Sequence, residues 1–202
     1  MTQHPDRRTL IAGAAALAAT AAQAQDGLVR VVLNTTKGKI VLDLNAAKAP
    51  ITTRNFLHYV DAKHLDHTAF YRVSHAPNDE AYGLIQGGVH GDRALLFKPI
   101  AHESTLVTGL AHKDGTISMA RGKPGSASGE FFICMGDHPG FDAKPGGEGD
   151  DEGFAAFGQV AEGMDVCHAI FAAPTGQGGP PAMRGQMLNP PIPILSARRA
   201  AS

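Results

Sequence analysis

Few side chains in this 202-residue chain have a type and setting that chemistry could use. Arg72 sits in Phe70-Tyr71-Arg72-Val73, an apolar run where propensity alone does not place a cation. It either snorkels to water or an acid, or it presents a guanidinium to a bound group. Gln86, in Ile85-Gln86-Gly87-Gly88, is either a satisfied core amide or a polar contact to a ligand. Phe131 and Phe132 are adjacent, and neighbouring side chains of a strand point to opposite faces. One of the two rings therefore belongs to a core and the other touches something else. His64-x-x-His67, with Asp66 between, has a spacing that could meet a metal, but it reads better as loop decoration. Cys134 and Cys167 are too far apart for a cysteine-based metal motif; an exported location permits a disulfide between them, and two buried, unpaired thiols are the equal alternative because each lies in an apolar run. The loop 140–153 carries Asp142, Glu148, Asp150, Asp151 and Glu152, enough carboxylates for calcium but without EF-hand spacing, so a solvated loop is expected. Residues 125–129, Gly-Ser-Ala-Ser-Gly, place Ala127 where a nucleophile elbow requires serine. No phosphate-binding or dinucleotide glycine motif occurs, and no cofactor or metal is expected.

The elements that must position these residues are mostly short strands. Residues 28–44 read as two strands around a tight turn at Lys37-Gly38, with Val29, Val31 and Leu33, then Ile40, Leu42 and Leu44, in alternation. A helix follows, with Pro50 near its start and Phe56, Leu57 and Val60 on one face. Strands are predicted at 68–74, 83–88, 115–120, 130–135 and 155–160, with 75–82 as a polar loop. A second helix over 163–173 is stopped by Pro174, and the tail forms a last strand with Ile192 and Ile194 inward. About eight strands and two helices, with the strands not alternating with helices, predict a mainly β fold: an antiparallel sheet closed on itself and capped by helices. An eight-stranded barrel is narrow enough for side chains to fill it, which places a ligand site outside.

The start of the chain has a different composition. Arg7-Arg8, an apolar run from Leu10 to Ala22 and Ala22-Gln23-Ala24 form the charged, hydrophobic and small-x-small order of an export signal, of twin-arginine type. Residues 1–24 are expected to be removed, leaving a domain over 25–202 in the periplasm or outside the cell. No second long apolar segment follows, so no membrane association is expected after removal. The formal net charge is −1, and no basic stripe marks a nucleic-acid partner. No apolar stripe is left unassigned, so a monomer is expected.

Several stretches, in order, resemble cyclophilin-type peptidyl-prolyl cis-trans isomerases, most closely the bacterial branch: residues 36–60, Phe70-Tyr71-Arg72-Val73, Ile85-Gln86-Gly87-Gly88, 115–121, 126–133 and 154–166. The resemblance implies an eight-stranded antiparallel barrel capped by two helices, and catalysis of rotation about X-Pro bonds in proline-containing polypeptides. Arg72 matches the family's catalytic arginine. Gln86 matches a glutamine that contacts the substrate backbone and helps position that arginine. Phe132 matches the floor of the proline pocket, and Phe131 a core residue. Leu84, Met119, Ala120 and Phe141 fall at or near other pocket positions, with ordinary core packing the equal alternative for Leu84 and Met119.

The resemblance also exposes departures. The segment between Arg72 and Gln86 is longer than usual, and Gly83 stands where a pocket phenylalanine is common, with Tyr82 beside it as a substitute ring. Glu130 replaces a substrate-facing glutamine; its carboxylate accepts hydrogen bonds but cannot donate one, and Arg121 is expected to pair with it. Phe154 takes a usual histidine position, and the tryptophan of many cyclosporin-binding relatives is missing near Gly140. Activity is expected because Arg72, Gln86 and Phe132 are retained. The alternative is a proline-binding or chaperone module with little turnover, favoured by Gly83 and Glu130.

Overall fold

The computed structural model describes residues 27–147 and 151–200. In chain order its elements are β1 (Leu28–Thr35), β2 (Gly38–Asn45), α1 (Pro50–Asp61), β3 (Thr68–Ala76), β4 (Asp79–Gly88), α2 (Thr105–Thr108), β5 (Thr116–Met119), β6 (Glu130–Met135), β7 (Ala155–Glu162), α3 (Met164–Phe171), β8 (Thr175–Gly176) and β9 (Met187–Arg199). The strands pair in the order β1-β2-β7-β5-β6-β4-β3-β9-β8, and a β1–β9 pairing closes the first eight into an antiparallel barrel. The mainly β, closed eight-stranded fold is the one expected from the sequence. The two-residue β8, appended to β9, and the single-turn α2 were not foreseen; both are too short to leave a periodic signal.

The β1–β2 turn is set locally. Thr35 Oγ1 accepts from the Lys37 N–H at 3.0 Å and donates to the Gly38 carbonyl at 2.8 Å. Gly38 has φ +137°, and a Cβ there would come within 2.7 Å of Val166 on α3. That contact puts α3 at one end of β2, while α1 follows directly from the other end. Pro50 opens α1 at a position where its missing N–H costs nothing. The open N–H groups of Ile51 and Thr52 are capped from a distant loop by the buried Glu103 carboxylate, at 3.0 and 2.6 Å. Phe56 on α1 then inserts against Phe131 and Phe157, each 5.4 Å away between ring centres. Alternation fills the barrel with Val31, Leu33, Ile40, Leu42, Leu44, Val73, Ile85, Ile117, Ile133 and Met135, all fully buried.

One stretch differs from its sequence reading. Residues 75–82, read as a loop, continue the β3–β4 hairpin out to the Ala76↔Asp79 pair. The arm is mostly exposed. Its polarity reflects solvent contact rather than absence of pairing.

Candidate functional site

The barrel register builds the site. Arg72 pairs with Gln86 across β3–β4, Gln86 with Phe132 across β4–β6, and Phe132 with Ser118 across β6–β5. Directly opposed residues share a face, so four strands deliver one row of side chains to the outside of the barrel. The other face of β6 carries Phe131, 1% exposed, edge-on to Phe56 and Phe70. The adjacent phenylalanines thus divide as strand geometry requires: Phe131 is core, Phe132 faces the outer groove.

That groove encloses about 440 Å³. Arg72, Leu84, Gln86, Ala120, Glu130, Phe132, Phe141 and Phe154 all line it, joined by residues not singled out from the sequence, among them Ser126, Ser128 and Met183. Met119 does not join them. It pairs with Phe131, is 2% exposed and belongs to the core, because alternation along β5 turns it inward while Ser118 turns out. Phe132, Phe141 and Phe154 form a triangle of mutually edge-on rings with centroids 5.3–5.5 Å apart. This is the favoured geometry for aromatic rings, and it leaves an apolar cup beside the arginine.

Arg72 is half-buried and held by two amides. Its Nη1 donates to Gln86 Oε1 at 2.7 Å and its Nε to Gln186 Oε1 at 2.8 Å. Among the described residues no carboxylate pairs with it. Burial lowers its pKa, yet an arginine remains cationic at neutral pH. The site therefore presents an uncompensated cation, held by neutral oxygens, at the rim of an aromatic cup.

A bulge explains a residue that strand alternation hides. Against β4 the pairing steps from Phe70↔Gly87 to Arg72↔Gln86, leaving Tyr71 as the extra residue of a bulge, and the β9 pairing is irregular at the same place. Tyr71 and Arg72 consequently reach the same Gln86 side chain: the Gln86 Nε2 donates to the Tyr71 hydroxyl at 2.6 Å. Tyr71 in turn donates to Glu130 Oε2 at 2.7 Å, and the Gly91 N–H donates to Glu130 Oε1 at 3.2 Å. Burial, then the Glu130 charge, push the Tyr71 pKa up. Glu130, expected to pair with Arg121, is engaged by these groups. The Arg121 guanidinium donates to the carbonyls of Gly122 and Gly153 and lies 5.0 Å from the Phe154 ring centre.

Tyr82 does not enter the groove. Its hydroxyl donates to the Asp137 carbonyl, and its ring stacks on His138 at 4.0 Å, which stacks on Phe141 at 4.6 Å. It supports the cup from behind. A buried Ser118–His112–Asp142 chain does the same from below, with contacts of 2.9 and 2.7 Å. The His112 ring lies nearly parallel to Phe132, 6.1 Å between ring centres. His112 and Ser118 are 1% and 0% exposed, so this serine is closed to any substrate. No group of three or more metal-ligating side chains occurs among the described residues; Glu148 and Asp150 of the acidic loop lie outside them. A larger groove of about 850 Å³ runs along α1, between Ile51, Leu57, Phe97 and Ile100, and none of the candidate site residues lines it.

Residues 29–198 match the family described as cyclophilin type peptidyl-prolyl cis-trans isomerase/CLD. The chain is 37% identical to the peptidyl-prolyl cis-trans isomerase cyp18 of Streptomyces antibioticus, over 82% of its own length and 93% of the relative's. It is 35% identical to a peptidyl-prolyl cis-trans isomerase of Acinetobacter baylyi, over 83% and 84%. Its fold is similar to a Cryptosporidium parvum cyclophilin type peptidyl-prolyl cis-trans isomerase solved in the presence of the dipeptide Ala-Pro. That match has a TM-score of 0.68 at 18% identity, covering 86% of this chain and 99% of that one.

Proposed function

The chain belongs to the cyclophilin-type peptidyl-prolyl cis-trans isomerases and is an enzyme of that activity, and on that premise we propose that it acts through Arg72 as a monomer on X-Pro bonds of exported proteins during their folding. Amide conjugation gives an X-Pro bond a rotation barrier of about 18–20 kcal/mol, so uncatalysed isomerisation takes roughly tens to hundreds of seconds. Lowering it needs no nucleophile. The proline ring occupies the cup of Phe132, Phe141 and Phe154, with Leu84 and Ala120 at its margins. Gln86 contacts the neighbouring peptide group. As the amide twists, its nitrogen pyramidalises and its lone pair, withdrawn from conjugation with the carbonyl, localises on it, and Arg72 donates a hydrogen bond to that lone pair. That bond is stronger in the twisted state than in either planar one, which is the condition for accelerating the step rather than tightening binding.

The observation that carries this reading is the Arg72–Gln86–Phe132 row: a cation with no carboxylate partner among the described residues, fixed beside an apolar cup, on adjacent strands of one sheet. It is tested by isomerisation of a chromogenic X-Pro peptide. Arg72→Ala is expected to lower kcat/KM by about 10²-fold with the thermal midpoint retained. Wild-type protein that binds proline peptides without accelerating them would make the barrel a binding module, and an active Arg72→Ala would remove the arginine from the mechanism.

A further inference from the structure

The direction of each hydrogen bond around Gln86 follows from chemistry alone. An ionised carboxylate only accepts, a guanidinium only donates, and a hydroxyl has one proton to give. Tyr71 must therefore spend its proton on Glu130, 2.7 Å away. Its oxygen is then open to the Gln86 amide N–H at 2.6 Å. With its nitrogen committed there, Gln86 turns its carbonyl oxygen to Arg72 Nη1 at 2.7 Å. The opposite amide orientation would set N–H groups against a guanidinium and present the carbonyl to a hydroxyl already donating elsewhere.

We propose that Tyr71 and Glu130 are positioning residues for the isomerase reaction: a Glu130–Tyr71–Gln86 relay locks the Gln86 amide in the one orientation that holds the Arg72 guanidinium over the cup. The proposal rests on the isomerase reading above and changes the role of Glu130, which acts through Tyr71 rather than only as a contact for substrate. The β3 bulge makes the relay possible, since a regular strand would send Tyr71 to the face opposite Arg72. Gln186 holds the same guanidinium from the other side at 2.8 Å, so the relay sets its direction and does not solely retain it. Loss of aim lowers kcat more than it raises KM, because the Arg72 contact strengthens in the transition state.

The test uses the full chain and the X-Pro peptide assay. Tyr71→Phe keeps the ring and removes the hydroxyl; Glu130→Ala removes the acceptor. Each is expected to lower kcat about tenfold, with KM little changed. Glu130→Gln, which retains an acceptor oxygen, recovers most of the Glu130→Ala loss. In a Gln86→Ala background, Tyr71→Phe has no further effect. Wild-type kcat in Tyr71→Phe overturns the relay, as does an equal loss with and without Gln86. A Glu130→Ala effect confined to KM would return Glu130 to direct substrate contact. Should Tyr71→Phe fail to fold, Glu130→Ala, at a partly exposed position, decides the question with Glu130→Gln. Absence of activity in the wild type is a separate result, which would overturn the isomerase reading before any variant is compared.

Discussion

Gly83 shows how a single backbone position limits the groove. The resemblance leads one to expect a pocket phenylalanine there, but a Cβ at Gly83 would lie 1.9 Å from the Ser74 carbonyl oxygen on the paired strand. Backbone cannot yield as the end of a side chain can, so no larger residue fits while β3 and β4 keep this register. The Gly83 carbonyl also accepts from His138 Nε2 at 2.6 Å, inside the stack that supports Phe141. Gly83→Ala is expected to cost about 2–3 kcal/mol, a fall in Tm of roughly 5–10 °C by calorimetry; an unchanged Tm would show that the hairpin relaxes. At this scale the sequence was informative where one residue type has one plausible use. The two-residue period sent Phe131 and Phe132 to opposite faces, and the resemblance then assigned Phe131 to the core and Phe132 to the pocket. Met119 did not follow the position the resemblance suggested, because its face is decided by β5 register, and Tyr71 was hidden because a bulge leaves no compositional mark.

Among elements, the cup depends on how the turn Pro139–Phe141 is tied to β5. Asp142 Oδ1 accepts from both the His112 N–H, at 3.0 Å, and His112 Nδ1, at 2.7 Å, while His112 Nε2 faces Ser118 Oγ. These contacts suit a neutral imidazole that donates through Nδ1 and accepts through Nε2. Burial holds the His112 pKa below its ordinary value, against the opposing pull of Asp142. The unfolded chain thus takes up a proton at this histidine before the folded one does, so stability is complete above about pH 6.5 and declines as pH falls from there through the folded pKa. The slope is at most about 1.4 kcal/mol per pH unit while only the unfolded chain is charged. Asp43, Asp61, Asp66 and Asp137, lowered chiefly by their basic partners, lose their contributions only as pH falls from the ordinary carboxylate range toward their lower folded values, and so leave most of this window clear. Tm measured from pH 7 to 5 should fall in the wild type and much less in His112→Gln; parallel profiles would place the titration elsewhere. Strand and helix positions were legible because apolar periodicity records burial. The Ser118–His112–Asp142 chain was not, since its members are 6 and 30 residues apart and only the fold joins them.

For the whole molecule, closure is the governing feature. β1 pairs with β9 from Val31↔Arg199 to Thr35↔Ile194, so each of the eight barrel strands has two neighbours and the core has no open edge. The flanking ion pairs, Arg198 with Asp66 and Arg199 with Asp61, lie at the surface and add little. Cohesion comes from the filled interior, and the two cysteines report on it. Cys134 on β6 and Cys167 on α3 are unpaired and fully buried. Burial pushes both thiols up, Cys167 to about 12, so neither forms the reactive thiolate in the folded protein. This matters for the proposed export, because an oxidising compartment acts on thiols it can reach. Protein recovered from outside the cytoplasm is expected to begin near Gln25, to resist alkylation while native, and to titrate two thiols once denaturant is added. An intact Met1 on that protein would argue against signal removal. Rapid labelling under native conditions would mean that β6 and α3 open independently of the barrel, and that closure does not make the molecule one cooperative unit.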